Sequence, residues 1–132
     1  ALTMDRKGAD YVFQVAGGTG MGIFQAAEEA GKWAIGVDSD QALIIEETDP
    51  DQAACIATSM LKNVDKSLYR AMKLYYEGTL AWGTNERLGI PDGVGLAYNK
   101  FYDEYTPQDV KDTIAEKEAA VIAGDIVIDT VY

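Results

Sequence analysis

The residues with chemistry to offer fall at a few points: a glycine run Gly17-Gly18-Thr19-Gly20-Met21-Gly22, the carboxylates Asp38 and Asp40, the ring of Phe13 and the ammonium of Lys62. A glycine run ahead of a helix can turn backbone N–H groups onto an anion, approach a neutral ligand closely, or simply make a tight turn. With Asp38 downstream it imitates a dinucleotide fingerprint, in which an acidic residue about 20 positions on takes a ribose hydroxyl. The last glycine falls one position short of that pattern, and Met21-Gly22 stands where a phosphate-binding loop would need lysine. Asp38 either caps the next turn or accepts two sugar hydroxyls at once, and Asp40 could share that role. Phe13 either packs in a core or stacks on a base. Lys62 is either solvated or holds the carboxylate or a ligand heteroatom.

Composition removes other chemistries. The sequence of 132 residues contains no His, so imidazole catalysis and His-ligated metals are excluded. One cysteine, Cys55, allows neither an internal disulfide nor a cysteine zinc site. Ser39, Thr58 and Ser59 have no His to activate them, and binding is favoured over catalysis. No catalytic residue, metal ligand or cofactor is expected. Eleven Lys and Arg dispersed among 22 Asp and Glu give a net charge of −11, which opposes nucleic acid as a partner. Apolar runs fall far short of the ~20 residues that span a bilayer.

The elements that would position these groups are legible from periodicity. Tyr11 to Ala16 is an apolar strand; Ile23, Phe24, Ala26, Ala27 and Ala30 recur at helical spacing, with Gly31 as the helix stop. Trp33 to Val37 is a second strand closed by Asp38. Residues Ala42 to Ile45 read as a short strand or a helical turn, Glu46 to Gln52 as a polar loop, and the core of Ala53 to Leu61 as a third buried strand. A helix is expected from Asp65 towards Gly78 with Val64, Leu68, Ala71, Met72 and Tyr75 as its stripe. Trp82 to Asn99 reads as a hairpin turning at Pro91-Asp92-Gly93. Thr106 should cap a helix with Pro107 at its first position, stopped by Gly124, before a closing strand Ile126-Val127-Ile128. The residues up to Gly8 resemble the last turns of a helix, and with Ala1 in place of an initiator Met they suggest a piece of a longer chain. The expected class is α/β with a mostly parallel sheet and flanking helices, plus a C-terminal hairpin, helix and strand. Parallel strands place ligands at their carboxyl ends, where the glycine run, Asp38 and Lys62 all fall.

Three stretches in order, Phe13 to Gly20 (FQVAGGTG), Ile35 to Gln41 (IGVDSDQ) and Thr58 to Asp65 (TSMLKNVD), closely resemble the basic membrane protein family of nucleoside-binding lipoproteins of ABC uptake systems. The similarity continues through Gly93-Val94-Gly95-Leu96-Ala97 to the C-terminus. It implies a type I periplasmic-binding-protein-like fold whose two lobes close on a purine nucleoside. It also implies that Phe13 stacks on the base, Gly18 and Gly20 approach the nucleoside, Asp38 accepts ribose hydroxyls and Lys62 completes the polar contacts. Members run to twice this length or more, so the chain corresponds to their C-terminal portion. Residues 1-62 would belong to the C-terminal ligand-binding lobe, and 63-132 to crossover elements shared with the other lobe. The implied partners are an ABC permease and the missing N-terminal part or another copy; the implied location is extracytoplasmic, lipid-anchored or periplasmic. Other readings of the sequence are a ligand-sensing regulator on the same lobes, a nucleotide-dependent oxidoreductase with a degenerate fingerprint, and a structural fragment that binds nothing.

Overall fold

The structure, a computed structural model, describes residues 2–129; Ala1 and residues 130–132, to which the sequence reading extends, lie outside the described residues. The chain divides into two compact units, one formed by Ala1–Lys62 with Leu96–Thr106 and the other by Asn63–Gly95 with Pro107–Tyr132.

The first unit is built on parallel strands. A short helix α1 (Leu2–Asp5) precedes β1 (Tyr11–Phe13), and Gly8 turns the chain between them with φ +93°. A single 3-10 turn at Gly17–Gly20 leads into α2 (Met21–Ala30), which Gly31 ends in the left-handed conformation the sequence predicts. β2 (Trp33–Asp38) runs parallel to β1 with Phe13 opposite Ile35. The segment open to two readings is helical, as α3 (Gln41–Glu46), and the expected polar loop contains one more turn, α4 (Pro50–Ala53). Both start on an aspartate cap: Leu43 N–H donates to Asp40, and Gln52 N–H to Asp49 with Pro50 at the first helical position. β3 (Ile56–Lys62) is parallel to β2, with Gly36 opposite Ser59 and Asp38 opposite Leu61. The sheet order is β1-β2-β3-β4, where β4 spans Val94–Leu96.

Phe24, Ala27, Ala34, Ala42, Ile45, Ala53, Ile56 and Phe101 form one buried cluster joining α2, the two central strands, α3, α4 and α6 (Lys100–Tyr105). α6 is not legible in the sequence, being six residues rich in aromatics. Its N-terminus is fixed by Asn99, whose side-chain oxygen accepts from Phe101 and Tyr102 N–H at 3.0 Å, and Phe101 and Tyr102 bury their rings.

In the second unit α5 (Val64–Tyr76) is the helix expected there, entered through Asn63. Its apolar stripe is uncovered: Leu68, Met72 and Tyr75 are each more than 60 % exposed. The expected hairpin is absent. Gly93 and Val94 N–H groups both turn back to Gly89 O, and a Cβ at Gly93 would lie 2.2 Å from Leu88 O, so the run before Pro91 coils and cannot pair as a strand. The strand after it pairs elsewhere: Ala97 N–H donates to Ser59 O and Asn63 N–H to Gly93 O, the falling-and-rising register of an antiparallel addition. α7 (Gln108–Ala123) starts one residue later than predicted. Pro107 is its cap, while Thr106 N–H still donates to Tyr102 O and closes α6. Gly124 ends α7 at φ +83°, as expected. Ile126-Val127-Ile128 forms no strand; Val127 is 81 % exposed, and no described backbone pairs with the run as a ladder.

Candidate functional site

The carboxyl ends of β1, β2 and β3 converge as the parallel pattern requires. A depression of about 260 Å³ opens there, lined by Gly17, Gly18, Met21, Val37, Asp38, Ser39, Gln41, Ile44 and Ile45. Asp38 is the one charged residue of that lining, and the Lys62 ammonium 2.8 Å from it balances it, so the lining offers a phosphate no net positive charge. A neutral ligand that donates hydrogen bonds fits that wall better.

Asp38 is the one non-glycine residue with positive φ, +69°, among the described residues. A left-handed residue of this kind costs about 1–3 kcal/mol and persists only where its surroundings over-determine it, although aspartate tolerates it better than most. The kink lets Ser39 N–H return to Val37 O at 2.9 Å and turns the carboxylate out of the strand line. Lys62 Nζ lies 2.8 Å from Asp38 Oδ1, in a pair with both side chains about half exposed. Asp40 takes the capping work, accepting from Leu43 N–H and from Asn99 Nδ2 on both oxygens at 2.7 and 2.9 Å. Asp38 caps nothing.

Of the other predicted residues, Gly18 lines the depression with open space where a Cβ would stand. Phe13 ends β1 and is 49 % exposed, outside the lining of the depression. Gly20 is buried and faces inward: a Cβ there would lie 2.1 Å from Gln14 Oε1. The structure thus brings Gly18, Asp38 and Lys62 together, and gives Gly20 a close approach to a side chain of its own unit.

That side chain belongs to a buried polar bracket the sequence reading missed. Gln14 is 1 % exposed; its Oε1 accepts from Ala16 N–H at 3.0 Å and its Nε2 donates to Gln41 Oε1 at 2.6 Å. Gln41 Oε1 also accepts from Val37 N–H at 2.7 Å, and Gln41 N–H donates to the fully buried Ser59 Oγ. The residue after β1, the end of β2 and the middle of β3 are thereby tied together. The signal was present: an amide inside the apolar run Tyr11 to Ala16 must find partners when buried, and Gly36 within a central strand marks a close approach. A Cβ at Gly36 would lie 2.3 Å from Ser59 Oγ.

Gly20→Ala isolates the Gln14 contact, because Gly20 has φ −64°, where alanine would ordinarily stabilise. Overpacking against Gln14 instead predicts a loss of about 1–3 kcal/mol in urea unfolding. Unchanged or increased stability would contradict the bracket.

A larger groove of about 580 Å³ lies along α5, lined by Asp65, Lys66, Tyr69, Arg70, Lys73 and Asp92. Its charges are mixed, and Arg70 is already gripped by Glu86, whose hydrogen bonds raise the guanidinium pKa while Glu86 itself is lowered. Burial first, then the carboxylates of Glu28, Asp51 and Asp49, push the Cys55 thiol up, which is not the setting of an activated thiolate. Among the described residues no group of His, Cys, Asp and Glu could hold a metal ion.

The family model described as "Bmp: ABC transporter substrate-binding protein PnrA-like" matches residues 1–128. The chain belongs to the Bmp family. Basic membrane protein D of Borreliella burgdorferi is 36 % identical over 104 residues, covering 76 % of this chain and 28 % of the relative. The "ABC transporter nucleoside-binding protein BmpA" of Lactococcus lactis is 29 % identical over 139 residues, covering 97 % of this chain and 38 % of that protein. Among solved structures, an ABC transporter solute-binding protein from Aeropyrum pernix superposes with a TM-score of 0.75 at 25 % identity, over 98 % of this chain and 42 % of that one. The α/β fold of this Bmp-family chain is therefore that of the solute-binding proteins, and the chain spans well under half the length of these relatives. Among the described residues no helix is long and apolar enough to cross a membrane.

Proposed function

We propose that this chain is part of an extracytoplasmic solute-binding protein that delivers a purine nucleoside to an ABC permease and catalyses no reaction. The observation that carries the reading is the depression at the strand ends. There a single carboxylate, freed from capping and turned out by a left-handed backbone, stands opposite an open glycine turn. In this reading Asp38 accepts two ribose hydroxyls, which a carboxylate does best with both oxygens available. Lys62 holds Asp38 in place and offers a donor to the ligand. Gly18 lets the ligand approach the backbone, Gly20 shapes the same turn from beneath, and the exposed Phe13 stacks its ring on the base.

The reading also covers what the described residues leave bare. β1 is a sheet edge, and the α5 stripe is uncovered. Residues 1-62 are assigned to one lobe and 63-132 to elements shared with a second, the rest of a longer protein or another copy covering those faces. Closure of two lobes on the ligand would report occupancy to the permease.

The test is a thermal-shift panel on the full natural chain with inosine, guanosine, adenosine, free ribose, hypoxanthine and amino acids. A ligand that binds only the folded state raises the midpoint by mass action. Shifts for nucleosides alone are expected; shifts for amino acids or free sugars without any for nucleosides would overturn the reading.

A further inference from the structure

We propose that the Gln41 side-chain NH2 is a ligand-contacting donor, paired with Asp38, that selects an acceptor oxygen on a sugar hydroxyl; the inference rests on the nucleoside reading above. The direction of the Gln41 carboxamide follows from backbone donors alone. Ala16 N–H must meet an oxygen, which fixes Gln14 Oε1 on that side and turns Gln14 Nε2 toward Gln41. Gln14 Nε2 and Val37 N–H then both point at the same atom of Gln41, and only an oxygen can accept from the two. Flipping Gln41 would set donor against two donors, and flipping both amides would set Gln14 NH2 against Ala16 N–H.

With its oxygen saturated, Gln41 has only its Nε2 hydrogens left to offer. Among the described residues nothing accepts from them, and Gln41 lines the depression. The missing Cβ at Gly36 holds this geometry, since an ideal Cβ there would lie 3.0 Å from Gln41 Oε1 and the amide oxygen packs against the strand. The wall of the depression therefore carries an acceptor-only group, Asp38, and a donor-only group, Gln41 NH2. A hydroxyl can serve both types of partner, because its O–H donates and its lone pairs accept. A ligand with adjacent hydroxyls matches this pair, and an apolar ligand leaves both groups without a partner.

Gln41→Glu is the diagnostic substitution. It keeps an oxygen for Gln14 Nε2 and Val37 N–H and replaces the NH2 donor by a second acceptor. In the full natural chain, calorimetric titrations of wild type and Gln41→Glu with inosine and with 2′-deoxy-, 3′-deoxy- and 5′-deoxyinosine are expected to show a loss of tenfold or more for inosine. With one of the deoxy analogues the two proteins should bind alike, identifying the hydroxyl that Gln41 meets. Affinity for inosine within twofold of wild type would overturn the proposal, and so would a penalty equal for all four ligands, which is the signature of added charge alone. If Gln41→Glu does not fold, the Gln41 side-chain NH2 resonances of the wild type decide. They should move on adding inosine and stay in place with the one analogue. Wild-type protein that binds no inosine would overturn the nucleoside reading itself, an outcome separate from either result on Gln41.

Discussion

Replacing Asp38 by glycine in the full natural chain is expected to cost at least about 100-fold in nucleoside affinity while leaving the protein as stable as before or slightly more so. The affinity loss follows from two hydrogen bonds to a charged acceptor, each worth about 1.5–3 kcal/mol. The stability result follows from the backbone. Asp38 sits at φ +69°, a conformation glycine adopts without strain, and its carboxylate caps no helix while Asp40 does. The ion pair with Lys62 is about half exposed on both sides, so its removal costs little. Asp38→Ala should lose the same affinity and also some stability, because alanine is strained at positive φ. Calorimetry and urea unfolding of the two variants together separate the roles. Binding retained in Asp38→Gly would remove the ribose acceptor from the account, and a large stability loss would make Asp38 a structural residue.

Phe24→Ala should cost about 3–5 kcal/mol, the range for emptying a buried aromatic site. Phe24 is fully buried on α2 and sits in the one cluster that joins α2 to β2, β3, α3, α4 and α6. Typical domains are stable by about 5–15 kcal/mol, so this single change should remove about a fifth or more of the total. The denaturant midpoint would fall with little change in slope. A loss below about 1 kcal/mol would mean that the cluster is not the core on which the glycine turn rests.

The parts of the fold legible in sequence are those where periodicity and a stop signal agree. The α2 stripe ending at Gly31 and the buried run Trp33 to Val37 closed by Asp38 are both as expected, because local preference and burial point the same way there. The run Trp82 to Asn99 misleads because its turn signal at Pro91 is real while its pairing partner is β3, a long-range fact that no local pattern contains. Ile126 to Ile128 is apolar enough for a strand yet has no neighbour to pair with among the described residues. α6 is hidden because six aromatic-rich residues carry no period, although Asn99 is a proper cap for it.

At the site, sequence places Asp38, Gly18 and Lys62 at the strand ends and structure brings them together, since strand polarity alone dictates that edge. It cannot divide labour between Asp38 and Asp40, which depends on Asn99 arriving from 59 residues away. Nor does it reveal that Gly20 is small for the sake of Gln14, because that contact runs inward from the turn. The polar bracket of Gln14, Gln41 and Ser59 is where the chain departs from a purely apolar sheet, and it lies directly beneath the proposed ligand.

The most direct measurement is a crystal structure of the full natural chain grown with inosine. The nucleoside should lie over the depression formed by Gly18, Asp38 and Gln41, with both Asp38 oxygens within hydrogen-bond distance of ribose hydroxyls and the Phe13 ring against the base. Inosine bound elsewhere, or bound here with its ribose turned away from Asp38, would contradict the account.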